Sequence, residues 1–363
     1  MKHRWRTDLN WLSGVRASQW ARLLRHNSVS PTYWHRGAMV SALSIISSGM
    51  AVVDRARFGT DFSHVDIQQP LFIVGHWRSG TTWLYHLLAR DPGRAAPNAY
   101  QAVNPTTFLA TESVSAPIFD FLIPDKRIQD DVPLGFHTPE EDEYAIGLLS
   151  GCTPYLGRSF PNRLEHYERF LTLRDATDAE RAAFHAGMRE FMARLTLKYD
   201  RPLVLKSPAH TARIRYLLKW FPDAKFVHIH RDPYTVFQST RHLYDTVDWF
   251  WTLQRRPPNS DEVILRQYRK LHQAWFTDRQ LLGDHNLVEL SYDELVADPM
   301  AQVARIYDRL GLGGFAQAQG PMAALLAEQG PYRANSYPPM SAADRAAVRE
   351  VAGPCFDAWG YPA

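Results

Sequence analysis

The chain has 363 residues, 45% hydrophobic and 22% charged, enough for one large folded domain with insertions and unlike a disordered, collagenous or coiled-coil sequence. Its 41 basic and 38 acidic residues leave a net +3, too little to attract nucleic acid, so no such partner is expected. Two cysteines, Cys152 and Cys355, exclude a disulfide scaffold and sit at no metal-ligand spacing, which fits a reducing cytoplasm and no metal site.

The charge is unevenly placed. Residues 1–36 hold Lys2, Arg4, Arg6, Arg16, Arg22, Arg25 and Arg36 against Asp8, a net +6 that leaves −3 for the rest. Trp5, Trp11, Trp20 and Trp34 stand among them. No apolar signal-peptide core follows, and the run from Met39 to Val53 is broken by serines and Gly49. That run falls short of the roughly 20 residues a spanning helix needs, so no transmembrane helix is expected. Arginines and tryptophans followed by an apolar run suit an anionic membrane surface, which would make the protein cytoplasmic and peripheral on the inner face of the membrane. The alternative is a helical arm, residues 1–60, packed on the remainder with solvated arginines.

Beyond the arm, short apolar β-type runs alternate with helical patterns. Leu71 to Val74 leads into a helix from Thr81, and Leu203 to Leu205 into one from Thr211 to Phe221. Phe226 to His230 leads into Tyr234–Tyr244, and Leu287 to Leu290 into Ser291–Val296 and Pro299–Leu310, with Gly311 as a C-cap. Continuous apolar strands with helical crossovers predict an α/β fold, a central parallel sheet flanked by helices, whose ligands bind beyond the strands' carboxyl ends. With no repeat or linker, residues 61–363 read as one domain. A mostly helical insertion at about 93–200, with Pro-bearing loops at Ile123–Asp125 and Val132–Leu134, shapes substrate access, and residues 246–285 form a second helical excursion.

The first motif is Gly75-His76-Trp77-Arg78-Ser79-Gly80-Thr81-Thr82, between a strand and a helix. Glycines let the backbone approach a phosphate, and the helix start offers N–H groups. Against the nucleotide-triphosphate loop G-x-x-x-x-G-K-[ST], Thr81 replaces the lysine and the cation moves to Arg78. An enzyme clamping β- and γ-phosphates with Mg²⁺ is therefore disfavoured. The second motif, His230-Arg231-Asp232-Pro233 with Ser239 eight residues after the arginine, ends another strand. An arginine fork and a serine hydroxyl suit a phosphate, although Asp-Pro is also an ordinary helix start.

Residues 72–83, Phe-Ile-Val-Gly-His-Trp-Arg-Ser-Gly-Thr-Thr-Trp, resemble the 5′-phosphosulfate loop of sulfotransferases that use 3′-phosphoadenosine 5′-phosphosulfate (PAPS). The resemblance implies a P-loop-like sulfotransferase fold, with Ser79, Gly80, Thr81 and Thr82 holding the 5′-phosphate and Trp83 near the adenine. It also implies that Arg78 neutralises the leaving oxygen. The Arg231 to Ser239 spacing is similar to the family's 3′-phosphate motif. Leu205-Lys206-Ser207-Pro208-Ala209-His210 resembles a segment of many bacterial members, and Ser291 to Pro299 one whose tyrosine, here Tyr292, approaches the adenine. Ser291 to Glu294 also reads as a capping box. The resemblance runs from about Pro70 through Trp359-Gly360-Tyr361.

Sulfuryl transfer to a hydroxyl needs cations for the moving charge, assigned to Arg78 and Lys206, and a base, for which His210 is the first choice. Gln101 stands where some relatives place a glutamate and cannot be a base. Glu140 and Asp142 are the acidic alternatives, with His137 a lesser candidate. Thr138, Pro139 and Glu141 read as a capping box. The expected activity is therefore transfer from PAPS, leaving adenosine 3′,5′-bisphosphate (PAP), to a small-molecule or lipid hydroxyl, without metal. The alternatives are a kinase of related fold and a coenzyme A or PAP sensor.

Overall fold

A computed structural model describes residues 10–119, 135–246, 248–255, 260–329 and 337–362. In chain order the elements used below are α1 (Ala17–His26), α2 (Trp34–Phe58), β1 (Leu71–Val74), α3 (Thr81–Leu88), α4 (Phe108–Phe119) and α5 (Asp142–Ser150). Next come α6 (Asp178–Tyr199), β2 (Val204–Lys206), β3 (Lys225–His230), α7 (Pro233–Thr246) and α8 (Asp261–Asp278). The last are β4 (Leu287–Ser291), α9 (Tyr292–Ala297), α10 (Pro299–Leu310), α11 (Phe315–Gln329) and α12 (Ala342–Trp359). The expected Pro-bearing loops at Ile123–Asp125 and Val132–Leu134, and residues 1–9 with Trp5, lie outside the described residues.

The chain divides into two compact units. One comprises residues 1–67, 97–200 and 244–258, and the other residues 68–96, 201–243 and 259–363. The N-terminal helices and the expected insertion thus share a unit, and the parallel sheet has its own.

The sheet unit is an α/β fold with strand order β2-β1-β3-β4, all pairs parallel. Leu71 pairs with Val204 on one side and Lys225 on the other, which makes β1 the point where the strand order reverses. β1 and β2 are buried throughout, as continuous apolar strands require when both faces are covered. On one face Leu71, Ile73, Val227 and Ile229 join Leu84 of α3, Ile306 of α10 and Met322 of α11 in a single core. On the other, Phe72 stacks on Phe226, and His228 lies 4.0 Å from the ring of Trp275 in α8. The helix expected from Thr211 is interrupted: Pro208–Ala212 is a tight 3₁₀ turn, and the α-helix begins at Ile214.

In the helical unit α1 and α2 run antiparallel, since Ala17 N donates to Ser48 Oγ (2.8 Å) and Trp20 Nε1 to Ser41 Oγ (2.8 Å). Trp11 and Trp20 are buried, and Trp11 Nε1 donates to Ser159 Oγ. The Arg36 guanidinium is buried against the carbonyl oxygens of Trp249 (2.6 Å) and Thr252 (3.1 Å). These three residues therefore pack the unit, because each polar end finds a partner inside. Helix α2 is nonetheless long and apolar enough to cross a membrane by length and composition. One sequence expectation is corrected here: Thr138 caps no helix. Its hydroxyl donates to Gly135 O, Pro139 pairs with Asn98, and α5 starts only at Asp142.

Candidate active site

The loop after β1 is shaped by two glycines that nothing larger could replace. A Cβ on Gly75 would stand 2.3 Å from the Ile229 carbonyl oxygen, and one on Gly80, at φ +100°, would stand 2.5 Å from Tyr292 Cδ2. Between them Arg78 adopts a left-handed backbone at φ +71°, which costs an L-residue about 1–2 kcal/mol. Gly75 N donates to Thr211 Oγ1 (2.7 Å), tying the loop to the turn after β2. Ser79 is buried and its hydroxyl donates to His76 O (2.7 Å), so its side chain holds the loop closed. Gly80 is the N-cap of α3 and has no side chain to cap the first-turn N–H groups, which suits an anion there.

Cations converge on this loop. Lys206, the last residue of β2, is 1% exposed, with Nζ 3.4 Å from Thr82 Oγ1 and 5.8 Å from the centre of the Tyr85 ring. It is a buried ammonium at a strand end, where a solvated surface lysine would point outward. Arg78 Nε donates to Ser239 Oγ at 2.9 Å and Tyr337 O–H donates to the same oxygen at 2.9 Å. With two donors aimed at its lone pairs, the Ser239 hydroxyl is oriented to give its own proton to an acceptor. The Arg231 guanidinium lies over Tyr292, 4.0 Å from the ring centre. Asp232 is the helix start that its Asp-Pro sequence indicates, accepting from the Thr235 N–H (2.9 Å) and hydroxyl (2.6 Å). The Ser291/Glu294 capping box is also formed, and it begins the helix that carries Tyr292. Trp83 is partly buried and its indole N–H donates to Gln329 Oε1 (3.1 Å).

His210 has a different setting from the loop residues. It is fully buried, its ring edge-on to Phe72 of β1 (5.6 Å between centres), and Nδ1 is 3.3 Å from Arg213 Nη1. A guanidinium can only donate, so in this arrangement Nδ1 accepts and the proton sits on Nε2. That tautomer is a donor at Nε2, not a base.

Glu140, Asp142 and Gln101 belong to the helical unit. Glu140 is half-buried and accepts the Glu141 N–H (2.9 Å), Asp142 is fully buried, and His137 is exposed. Gln101 completes a capping box with Asn98 and donates to Glu112 (2.8 Å) and Tyr199 (2.6 Å), a structural post.

A feature the sequence did not disclose supports Arg231 from behind. His230 stacks parallel on Trp359 at 4.5 Å, and its Nδ1 is 2.9 Å from Tyr361 Oη. Trp359 Nε1 donates to Glu289 Oε1 (2.6 Å), so one indole joins the end of β3 to the middle of β4. Burial lowers the pKa of His230 to about 4 and drives those of His228 and His272 well below the ordinary histidine range, so all three are neutral at pH 7. Burial also raises the Glu289 carboxyl. The alternation of His228 and His230 on one strand face was the available signal.

A model of the sulfotransferase family matches residues 70–316. The chain is 35% identical over 352 residues to the omega-hydroxy-beta-dihydromenaquinone-9 sulfotransferase of Mycobacterium bovis, covering 96% of this chain and 90% of that protein. It is similar in fold to solved sulfotransferases of Mycobacterium avium (TM-score 0.74, 20% identity, 96% of this chain and 92% of that one) and Mycobacterium tuberculosis (TM-score 0.68, 19% identity, 93% and 92%).

Proposed function

The chain belongs to the sulfotransferase family, and from that premise we propose that its donor is PAPS and its acceptor the hydroxyl of an apolar, lipid-like alcohol. The observation that carries the donor is the meeting of the two phosphate motifs, 161 residues apart in sequence, through the Arg78–Ser239 hydrogen bond. The residues present fit such a nucleotide. Two positions bare of Cβ and an uncapped helix start suit one phosphate, and Arg231 with the Ser239 hydroxyl suits a second. The lipid-like acceptor is supported by the mycobacterial relative, named for a hydroxylated menaquinone.

When bound, PAPS supplies an activated sulfuryl group on a phosphate leaving group. The backbone N–H groups of Thr81 and Thr82 and the Thr82 hydroxyl hold the 5′-phosphate, while Arg231 and Ser239 hold the 3′-phosphate. Tyr292 and Trp83 flank the adenine. Lys206 and Arg78 place positive charge where negative charge builds up, which is most effective from a buried, pre-oriented ammonium. For the acceptor's proton, His210 serves as base only if its ring leaves Phe72 and releases Arg213. Glu140 is the second candidate, and its carboxylate needs no change of tautomer.

The test is thermal unfolding with nucleotides. PAP raises the melting temperature and ATP with Mg²⁺ does not; the reverse result overturns the donor assignment and favours a kinase.

A further inference from the structure

We propose that the outer face of α2 is a docking surface for an anionic lipid bilayer, on which the helix lies flat without crossing it. Between residues 10 and 58 the sequence holds six arginines and a single acid, Asp54. Asp54 is turned inward, its Oδ1 2.7 Å from Arg194 Nη1 and its Oδ2 accepting the Ala110 N–H (3.1 Å). Of the arginines, Arg22, Arg25, Arg55 and Arg57 are exposed. Because α1 and α2 are antiparallel, Arg22 and Arg25 lie toward the start of α2 and Arg55 and Arg57 at its end.

Between these basic ends the solvent face of α2 is apolar. Ala38, Ala42, Ile45, Gly49 and Val53 recur every three or four residues and all are exposed. Ile45 is 68% exposed, Val53 55% and Trp34, at the N-terminal end, 65%. Ile46, Met50 and Val52 widen the stripe, and α4, which packs on α2, exposes Val114 and Ile118. A soluble surface rarely leaves so much contiguous apolar area bare. An apolar stripe with an interfacial tryptophan and flanking cations is the pattern of a helix resting in the headgroup region.

The opposite face decides between lying and spanning. Arg36, Ser47 and Asp54 are tied to carbonyl oxygens of Trp249, Thr252 and Gly14 and to Arg194. Inserting α2 across a bilayer would strip all of these partners in hydrocarbon. A second copy is a poor occupant, because an antiparallel two-fold pairing would set the arginines at the end of one α2 against those at the start of its neighbour.

The inference stands on this surface alone, so its test uses neither donor nor acceptor and leaves the sulfotransfer reading untouched. The full chain is floated with phosphatidylcholine vesicles with or without phosphatidylglycerol. It co-floats with the anionic vesicles, and binding falls at least tenfold without phosphatidylglycerol or in about 0.5 M salt. Ile45→Asp with Val53→Asp lowers binding tenfold or more with unchanged circular dichroism and melting temperature. Arg55→Gln with Arg57→Gln lowers it about fivefold per arginine. Absence of flotation by the unaltered protein, or equal flotation by both double variants, overturns the proposal. So does a dimer in light scattering that the Ile45/Val53 variant dissolves.

Discussion

The guanidinium of Arg231 lies over the ring of Tyr292, and Gly80 meets the same ring so closely that no Cβ fits between them. The loop after β1, the Tyr292 ring and Arg231 thus pack directly on one another. Gly80→Ala is expected to force them apart. With the left-handed backbone as well, it should cost about 1–2 kcal/mol or more, lower the melting temperature and weaken PAP binding by calorimetry. Unchanged PAP affinity would show that the stack has no part in nucleotide binding.

If Arg231 holds the 3′-phosphate, its removal takes a charge-assisted fork from that phosphate. Arg231→Ala should weaken PAP on the order of 100-fold, and Arg231→Lys should restore little, since a point charge does not reproduce the fork or the stacking. Ser239→Ala should weaken PAP by roughly tenfold, because it also releases Arg78. An Arg231→Ala protein that binds PAP normally would move the 3′-phosphate elsewhere.

In the proposed reading Lys206 meets charge that appears only during transfer. Lys206→Met keeps an unbranched side chain of similar length and should retain the fold while kcat falls by ~100-fold or more, with a smaller change in donor KM. Equal losses in PAP affinity and kcat/KM would make it a binding residue instead.

The base is identified by a pair of variants. If His210 abstracts the proton, His210→Gln loses turnover with PAP affinity intact and Glu140→Gln does not. If Glu140 is the base, the pattern inverts. Loss of thermal stability in His210→Gln, with turnover per folded molecule preserved, is the outcome its packing on Phe72 indicates.

Stability should also depend on acid. His230 is held near pKa 4 in the folded chain by burial, against about 6.5 unfolded, so the unfolded state binds more protons between those values. Its contribution is fully present above pH 6.5 and is lost as the pH falls toward 4, by about 3 kcal/mol at most. His228 and His272 shift in the same direction. The melting temperature should drop by several degrees between pH 7 and 5, and His230→Gln should flatten that slope. A profile that is already flat in the unaltered protein contradicts this account.

The sheet was legible because parallel strands covered on both faces must be continuous apolar runs, and Leu71–Val74 and Phe226–Ile229 are such runs. The two strand-end loops were legible because Gly75, Gly80 and the Asp232-Pro233 helix start carry their signals locally. What depends on distant partners was not. Nothing near Arg36 indicates that it meets the carbonyl oxygens of Trp249 and Thr252, and nothing near Thr138 that Pro139 pairs with Asn98 before a helix can start. His210 sits in the segment where a base was sought, but whether a ring faces a ligand or Phe72 is set by the packing of that turn on β1. Its spacing from Lys206 does not determine it.

The indole of Trp359 and the phenol of Tyr361 brace His230, the phenol from 131 residues further along the chain, as Ser239 braces Arg78 from 161. A ribosome adding roughly 10 residues per second therefore delivers the brace on His230 some 10 s after the strand it steadies. Until then the emerging polypeptide holds the end of β3 without that support. The end of β3 therefore reaches its final packing only late in synthesis, once the C-terminal residues have emerged.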